Sequence, residues 1–382
     1  MRERGYMSQL DALRCFAVVG VVFEHNWQPQ LPWIFANFGW GELGVQLFFV
    51  LSGFLITGIL LRGLTAPDGI RPRRLFFARQ FYIRRFLRIF PVYYATLVVL
   101  LIAGVGPTRA IAPWLFTYTT NIYIWFFGTW VHPLSHFWTL AVEEQFYLVW
   151  PCVLLFAPRR WVIPLLVGLI AIAPAYRLYA TYRHHADIWS GSYTSGTATI
   201  SVVDSLAAGA LLAIVIARAG DSEKVRRTLT RVVLPVGLLG YIGLLVLDWY
   251  GNGIRADFTF SRTTLVLISC WLIGSASYGF GGAFGRLLEL RPIAYLGKIS
   301  YGIYIFHNLV PVAFATAAVH LGISYQDAGP ANFFATFAAT IAVAALSWHL
   351  FESPINRLKR FFPYRGRAEE RVPAPVGAVV ES

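Results

Sequence analysis

The chain has 382 residues, of which 57% are hydrophobic and 13% are charged, and its mean hydropathy is +0.58. A soluble globular chain carries about 25% charged residues, so this composition excludes a soluble protein and predicts an all-α, polytopic membrane protein. The net charge of +13 does not indicate nucleic-acid binding, because the basic residues cluster in loops that alternate between apolar segments, as the positive-inside rule describes. The three cysteines are far apart and show no metal-ligand spacing, so no metal site is expected.

Apolar segments of about 20 residues, the length that crosses the hydrocarbon core, predict ten membrane-spanning helices. Their approximate bounds are 10–27, 42–62, 85–104, 136–157, 161–180, 198–217, 232–250, 262–281, 297–320 and 331–351. We expect residues 1–360 to form one transmembrane domain and 361–382 to be a disordered cytoplasmic tail.

A further apolar segment, 113–128, decides the topology. If it crossed the membrane, every later loop would change sides. If it is re-entrant or interfacial, both termini are cytoplasmic and 26 of the 32 basic residues lie on the cytoplasmic side. This charge asymmetry favours ten spans. The segments 105–135 and 181–197 would then face outward.

The first span, LDALRCFAVVGVVFEHN, carries Arg14, Glu24 and His25. An ionisable residue inside a bilayer is costly and indicates a functional site. Arg14 and His25 are eleven residues apart, which is three helical turns plus about 20°, so both side chains leave one face roughly 16 Å apart along the axis. We therefore expect this face of the first span to form one wall of a cavity.

Two other spans carry charged pairs. Arg85 and Arg88 share a helix face at the cytoplasmic end of their span, where they either bind a phosphate-bearing ligand or mark topology. Glu143 and Glu144 are adjacent carboxylates in an apolar span, so at least one needs a partner or a cavity. A structural pairing with Arg14 or with the ninth span is the alternative.

Two further pairs of small or polar residues within the spans can be explained by packing alone. Ser52 and Gly53 form a small-residue patch that suits close helix packing, and His307 with Asn308 lies near the middle of an apolar span, where a hydrogen-bonded packing histidine is common.

Together, six segments resemble the membrane acyltransferase-3 family, in the family's order and over nearly the whole chain. They are LDALRCFAVVGVVFEHN, FFVLSGFLIT, RRFLRIFPVYY, HFWTLAVEEQFYLVWP, LGKISYGIYIFHN and SWHLFESPINRL. One departure is Thr139, where serine is more usual, and it keeps a hydroxyl.

The resemblance implies an integral membrane O-acyltransferase of the bacterial inner membrane, with 1–360 as its transmembrane acyltransferase domain. It would move an acyl group, most commonly acetyl, from cytoplasmic acyl-CoA to a hydroxyl of a glycan, glycolipid or other sugar-bearing acceptor, with no metal and no nucleic acid. The family's catalytic histidine corresponds to His25 and its paired arginine to Arg14. Its RxxR motif corresponds to Arg85 and Arg88, and its acidic motif to Glu143-Glu144.

These assignments suggest a mechanism. Arg85 and Arg88 bind the CoA phosphates, the pantetheine arm passes Arg14, and His25 acts as general base, since an ordinary histidine pKa of about 6.5 suits proton transfer near neutral pH. Glu24, Glu143 or Glu144 would orient the imidazole. In a variant of this mechanism His25 is itself transiently acylated.

The remaining candidates are Ser52 and Gly53 beside the donor, and His136, Trp138, Tyr301 and His307 around the acceptor or the catalytic residues.

A transporter or flippase is the alternative, because intramembrane charges also line solute paths. The enzyme is favoured by the arginine pair at the cytoplasmic mouth and by the lack of a two-fold repeat of spans, which many transporters show. A non-catalytic scaffold explains none of the intramembrane charges.

Overall fold

The computed structural model describes residues 7–27, 38–64, 74–183, 195–219, 222–250, 254–322 and 329–364, with side chains from residue 259 onward in the range that starts at 254. The described part is all α-helical and contains no strand. The tail predicted to be disordered and much of the predicted outward loop 181–197 lie outside these ranges.

The long helices follow the predicted spans, with short helices between them. In chain order they are α1 Ser8–Asn26, α2 Trp40–Leu64, α3 Arg74–Ala103, α4 Ala112–Phe116, α5 Thr120–Phe127, α6 Phe137–Phe156, α7 Arg159–Arg183, α8 Thr199–Arg218, α9 Ser222–Trp249, α10 Ile254–Tyr278, α11 Gly282–Leu288, α12 Arg291–Lys298, α13 Ser300–Phe306, α14 Leu309–His320 and α15 Pro330–Phe361.

Seven helices of the described chain are long and apolar enough to cross a membrane, and two bent pairs could add two more spans. The bent pairs are α10 with α11, at 90°, and α13 with α14, at 44°. Helix α1 is not among the seven; it carries Asp11, Arg14 and Glu24. The chain is therefore a multi-pass helical membrane protein, while the count of ten spans and the cytoplasmic termini stay predictions.

Helix α3 begins earlier than the sequence indicated. We expected this span to start near Arg85, but the helix starts at Arg74. Its first turns are arginine-rich yet amphipathic, since Phe77 and Phe81 are buried against the bundle. Arg85 therefore lies well inside a 30-residue helix rather than at its end.

The segment that decided the topology forms two short helices. Helices α4 and α5 have five and eight residues, or roughly 7.5 and 12 Å of helix, far less than the ~30 Å hydrocarbon core. Tyr118 lies between them in the left-handed region, with φ 53°. Its ring stacks on Tyr93 at 4.2 Å, and Gln145 Nε2 of α6 donates to its carbonyl at 2.9 Å.

Helices α2 and α8 approach each other closely. Gly53 lies against the backbone carbonyl of Leu206, and Gly209 lies against the carbonyl of Val50, so a Cβ at either glycine would overlap backbone atoms. Small residues at membrane helix contacts allow this approach. Gly53 therefore faces α8, while its neighbour Ser52 faces the other way, toward α6.

Candidate active site

An open cavity lies between α1, α2, α3, α6 and α13. Seven of the predicted site residues line it: Arg14, Ser52, Arg85, Arg88, Glu143, Glu144 and Tyr301. Gly53, predicted beside the donor, lies instead in the α2–α8 contact. The structure thus brings together charged residues from three helices that the sequence could only list separately.

The cationic end of the cavity is formed by α3. Arg85 and Arg88 both line it, and among the described residues neither guanidinium forms an ion pair with a carboxylate. The Arg85 guanidinium lies over the rings of Phe81 and Tyr147, 5.6 and 5.4 Å from their centroids. Stacking of this kind leaves the N–H donors at the edge of the guanidinium for an anionic ligand.

Arg14 has a partner that the sequence analysis did not consider. We proposed a bound donor or a carboxylate of the fourth span, but Arg14 forms an ion pair with Asp11 on its own helix. The spacing of three residues between Asp11 and Arg14 could have predicted this ion pair. Arg14 still lines the cavity, with 20% of its side chain exposed.

Glu143 lies in a hydrogen-bond network that joins α2 to α6. Ser52 Oγ donates to Glu143 Oε1 at 2.7 Å, and the Tyr147 hydroxyl donates to Ser52 Oγ at 2.8 Å. Because Glu144 also lines the cavity, both carboxylates of the pair face it. Tyr147, four residues after Glu143 on the same helix face, was not among the sequence candidates.

Three predicted histidines meet in a second cluster next to the cavity. His25 Nδ1 lies 2.9 Å from His307 Nε2, and the two rings stack at 5.1 Å. The ring of His136 meets that of His307 edge-on at 4.7 Å. His136 and His307 are buried, whereas His25 is exposed.

A break in the ninth predicted span explains this cluster. The sequence predicted one helix over 297–320, but the chain bends between α13 and α14 at His307-Asn308. A bend frees carbonyl groups that a continuous helix would pair, and in a membrane they need other donors. His307 Nδ1 lies 2.6 Å from the Tyr304 carbonyl and His136 Nε2 lies 3.1 Å from the Ile305 carbonyl.

These carbonyls determine which ring nitrogens carry protons. A carbonyl only accepts, so His307 Nδ1 must be the donor, and Nε2 of a neutral His307 is then an acceptor. His25 Nδ1 must accordingly donate to His307 Nε2. Consequently the lone pair of a neutral His25 is on Nε2, the nitrogen away from His307, where a base needs it.

The cavity and the histidine cluster are joined through Thr139 and Tyr304. Both residues line the cavity, and their hydroxyl groups are 2.6 Å apart. Thr139 Oγ1 donates to the His136 carbonyl at 2.9 Å, and the Tyr304 ring lies 5.4 Å from the ring of His307. The hydroxyl kept at position 139 therefore has a structural partner.

Two predicted site residues lie apart from this chemistry. The Glu24 carboxylate accepts from the backbone N–H of Gly41 at 2.8 Å, so its observed bond is to α2 rather than to the imidazole of His25. Trp138 is buried and packs edge-on against Phe49 at 6.0 Å. The observed partner of the His25 imidazole is His307, and orientation of His25 by a carboxylate stays a prediction.

The described residues contain no group of three His, Cys, Asp or Glu side chains arranged to hold a metal ion. The cluster is instead joined by hydrogen bonds and ring contacts.

The comparisons with known proteins identify the family of the chain. The model of the acyltransferase-3 family, an acyltransferase domain, matches residues 7–349. No solved structure matches the chain significantly.

Curated relatives align with nearly the whole chain. It is 28% identical over 386 residues to the peptidoglycan O-acetyltransferase OatA of Listeria monocytogenes, covering 93% of this chain and 56% of that protein. It is 29% identical over 384 residues to the putative peptidoglycan O-acetyltransferase YrhL of Bacillus subtilis, covering 92% and 55%. It is 26% identical over 381 residues to the O-acetyltransferase OatA of Staphylococcus aureus, covering 92% of this chain and 57% of that protein.

The chain spans a little over half the length of these relatives, and the family match spans most of the chain. On that match, the chain belongs to the membrane acyltransferase-3 family.

Proposed function

We propose that this protein is an integral membrane O-acetyltransferase of the bacterial cytoplasmic membrane. It moves an acetyl group from cytoplasmic acetyl-CoA to a hydroxyl of a cell-wall glycan, with peptidoglycan as the acceptor. The family match and the names of the relatives support the reaction class and the acceptor. The observation that carries the proposal is one cavity with Arg85 and Arg88, which form no ion pair within the described chain, at one end and the His25–His307 pair next to the other.

The donor half of the proposal rests on Arg85 and Arg88. A CoA thioester carries several phosphate charges at one end and its reactive group at the other. Guanidinium forks match phosphate oxygens in geometry and charge, and these two have no carboxylate partner in the described chain. Binding the phosphates there directs the pantetheine arm into the cavity, past Arg14 and the Ser52–Glu143 hydrogen bond.

The chemical step is assigned to His25. Its Nε2 takes the proton of the acceptor hydroxyl while the hydroxyl oxygen forms a bond to the thioester carbonyl carbon. The tetrahedral intermediate collapses with cleavage of the C–S bond, and the CoA thiolate takes the proton from His25. His307 accepts from His25 Nδ1 throughout and stabilises the imidazolium, the part that a carboxylate plays in hydrolase triads.

The acceptor side follows from the position of His25. It lies in the last turn of α1, opposite the predicted cytoplasmic N-terminus, and its side chain is exposed. An acceptor glycan therefore approaches from the outer face, while the donor enters from the cytosol. The short helices α4 and α5 and the residues around them form part of that outer side.

The proposal is tested by turnover with purified protein in detergent. Acetyl-CoA is supplied with a muropeptide acceptor, and both CoA release and O-acetylated product are measured for the wild type, His25→Asn and His320→Asn. His320 is a matched control, since it is an exposed histidine whose Nδ1 contacts its own helix at the Thr316 carbonyl.

We expect the wild type and His320→Asn to form product and His25→Asn to lose at least about 100-fold in kcat, the range of general base catalysis. A wild type that consumes no acyl-CoA would overturn the proposal. If the protein forms product with other glycans but not with muropeptides, the enzyme class stands and peptidoglycan is refuted as the acceptor.

A further inference from the structure

A further cation, Lys359, approaches the arginine pair from the last turn of α15. The charges that act most strongly on its ammonium are those of Arg88, Arg85 and Arg84, in that order. Its Nζ donates to the neutral side-chain oxygen of Asn356. Lys359 also lies ten residues beyond the segment that matches the family model, which ends at residue 349.

The position of Lys359 is fixed by α3. Arg84 Nη1 donates to the carbonyl of Lys359 at 2.8 Å and to that of Phe362 at 3.1 Å. The Arg84 guanidinium lies 4.8 Å from the centre of the Tyr364 ring, which stacks on Phe77 at 5.0 Å. Arg84 is therefore a structural arginine, and it holds the end of α15 against the helix that carries the arginine pair.

Like charges held together need an opposite charge nearby. The carboxylate of α15 that acts on Arg88 is Glu352, which lies in a π-helical turn and accepts from Ser347 Oγ at 2.9 Å. Asp11 also acts on Arg88, and Glu143 and Glu144 act on Arg85. The charges that act on Lys359, however, are those of the three arginines, and Lys359 forms no ion pair within the described chain. Since mutual repulsion of such groups is unfavourable when they are shielded from water, their convergence points to a polyanionic ligand.

We propose that Lys359 is a phosphate-binding residue for the acyl donor. Its ammonium binds phosphate oxygens at the cytoplasmic mouth, next to those held by Arg85 and Arg88. The inference rests on the proposed function, because it takes the donor to be a CoA thioester. The diphosphate and the 3′-phosphate of CoA offer the same chemistry, and Lys359 recognises one of them.

Direct binding of CoA to purified protein tests the inference. Dissociation constants are measured by calorimetry for the wild type, Lys359→Met, Lys359→Arg and Arg360→Met. Arg360 is a matched control because it is the adjacent cation, is exposed, and lies over the ring of its neighbour Phe361 at 4.7 Å. Melting temperatures of all variants check that folding is unchanged.

We expect Lys359→Met to weaken CoA binding about tenfold, as for a charge-assisted hydrogen bond, and Lys359→Arg to restore most of the affinity. Arg360→Met should bind like the wild type. With 3′-dephospho-CoA, a Lys359→Met effect that disappears assigns Lys359 to the 3′-phosphate, and an effect that persists assigns it to the diphosphate. Either result supports the inference.

The two proposals fail in different ways. If the wild type binds CoA and Lys359→Met binds it within twofold as tightly, the inference is overturned and the proposed function stands. If Lys359→Met weakens CoA binding but the wild type transfers no acetyl group, the phosphate site stands and the proposed function fails. A wild type without affinity for CoA refutes both.

Discussion

At the scale of single residues, the protonation of His25 is set by a distant backbone group. The Tyr304 carbonyl accepts from His307 Nδ1, which makes His307 Nε2 an acceptor for His25 Nδ1. His25 Nε2 is then free to act as a base. In the proposed mechanism, a positioning histidine takes the part that a carboxylate plays in hydrolase triads.

We predict a kinetic effect for His307→Phe. The substitution keeps an aromatic ring but removes the acceptor for His25 Nδ1, so kcat should fall by about tenfold or more, while KM for acetyl-CoA stays within twofold because the phosphate-binding end is unaffected. Steady-state kinetics with acetyl-CoA measures both values. His320→Phe is the control and should match the wild type. A variant with unchanged kcat, or with KM raised as much as kcat is lowered, would argue against the positioning role.

Most residues of the site could be selected from the sequence, but the residues that they contact could not. An arginine and a histidine eleven residues apart on one helix face are a local pattern, so both could be selected. The contact between His25 and His307 joins positions 282 apart in the chain, and it depends on a helix break that hydropathy does not reveal. The i,i+3 rule could have identified Asp11 as the ion-pair partner of Arg14.

At the scale of elements, the contact between α2 and α8 positions the cavity wall. Gly53 allows the backbones to meet, and this contact turns Ser52 toward Glu143. The sequence indicated that Ser52-Gly53 suits packing, and the structure divides the pair, with glycine in the helix contact and serine in the cavity. Such a division follows from the ~100° between neighbours on a helix.

Gly53→Ala should destabilise the protein. Its Cβ would overlap the Leu206 carbonyl, and overpacking of this kind costs about 1–3 kcal/mol. Gly58→Ala on the same helix is the control, because its Cβ would meet only the Arg62 side chain at 3.9 Å, so it should be neutral or stabilising by up to about 1 kcal/mol. Melting temperatures in detergent compare the two. Equal melting temperatures would refute the close contact.

At the scale of the whole molecule, the topology depends on the segment that forms α4 and α5. Neither helix is long enough to cross, and Tyr118 between them contacts α3 and α6 inside the bundle. This geometry is compatible with a re-entrant or interfacial segment. For such a segment we expect Arg109 to lie outside and Arg159 to lie in the cytoplasm, as the charge distribution predicts.

Cysteine labelling tests this topology. In a variant lacking Cys15, Cys152 and Cys270, a membrane-impermeant maleimide applied to intact cells should label Arg109→Cys and spare Arg159→Cys. Permeabilised cells should label both positions, which controls for accessibility. Labelling of Arg159→Cys in intact cells would show that the segment crosses the membrane and that every later loop changes sides.

The fold was more predictable than the assembly of the site. Hydropathy and the positive-inside rule located the long helices, since lipid demands about 20 apolar residues for each crossing. They did not locate the start of α3, because its amphipathic first turns contain arginines, nor the bend at His307. Both features depend on contacts between distant segments, and such contacts form the cavity.

The most direct test of the central claim is CoA binding to the wild type, Arg88→Gln and His25→Asn, measured by calorimetry on purified protein. We place donor binding at the cationic end of the cavity and the chemistry at the histidine cluster next to it. We therefore predict that Arg88→Gln weakens CoA binding at least about tenfold while His25→Asn binds as tightly as the wild type. Arg79→Gln, an exposed arginine of the same helix, is the matched control and should bind like the wild type. Equal affinity of Arg88→Gln and wild type, or no CoA binding by the wild type, would contradict the account.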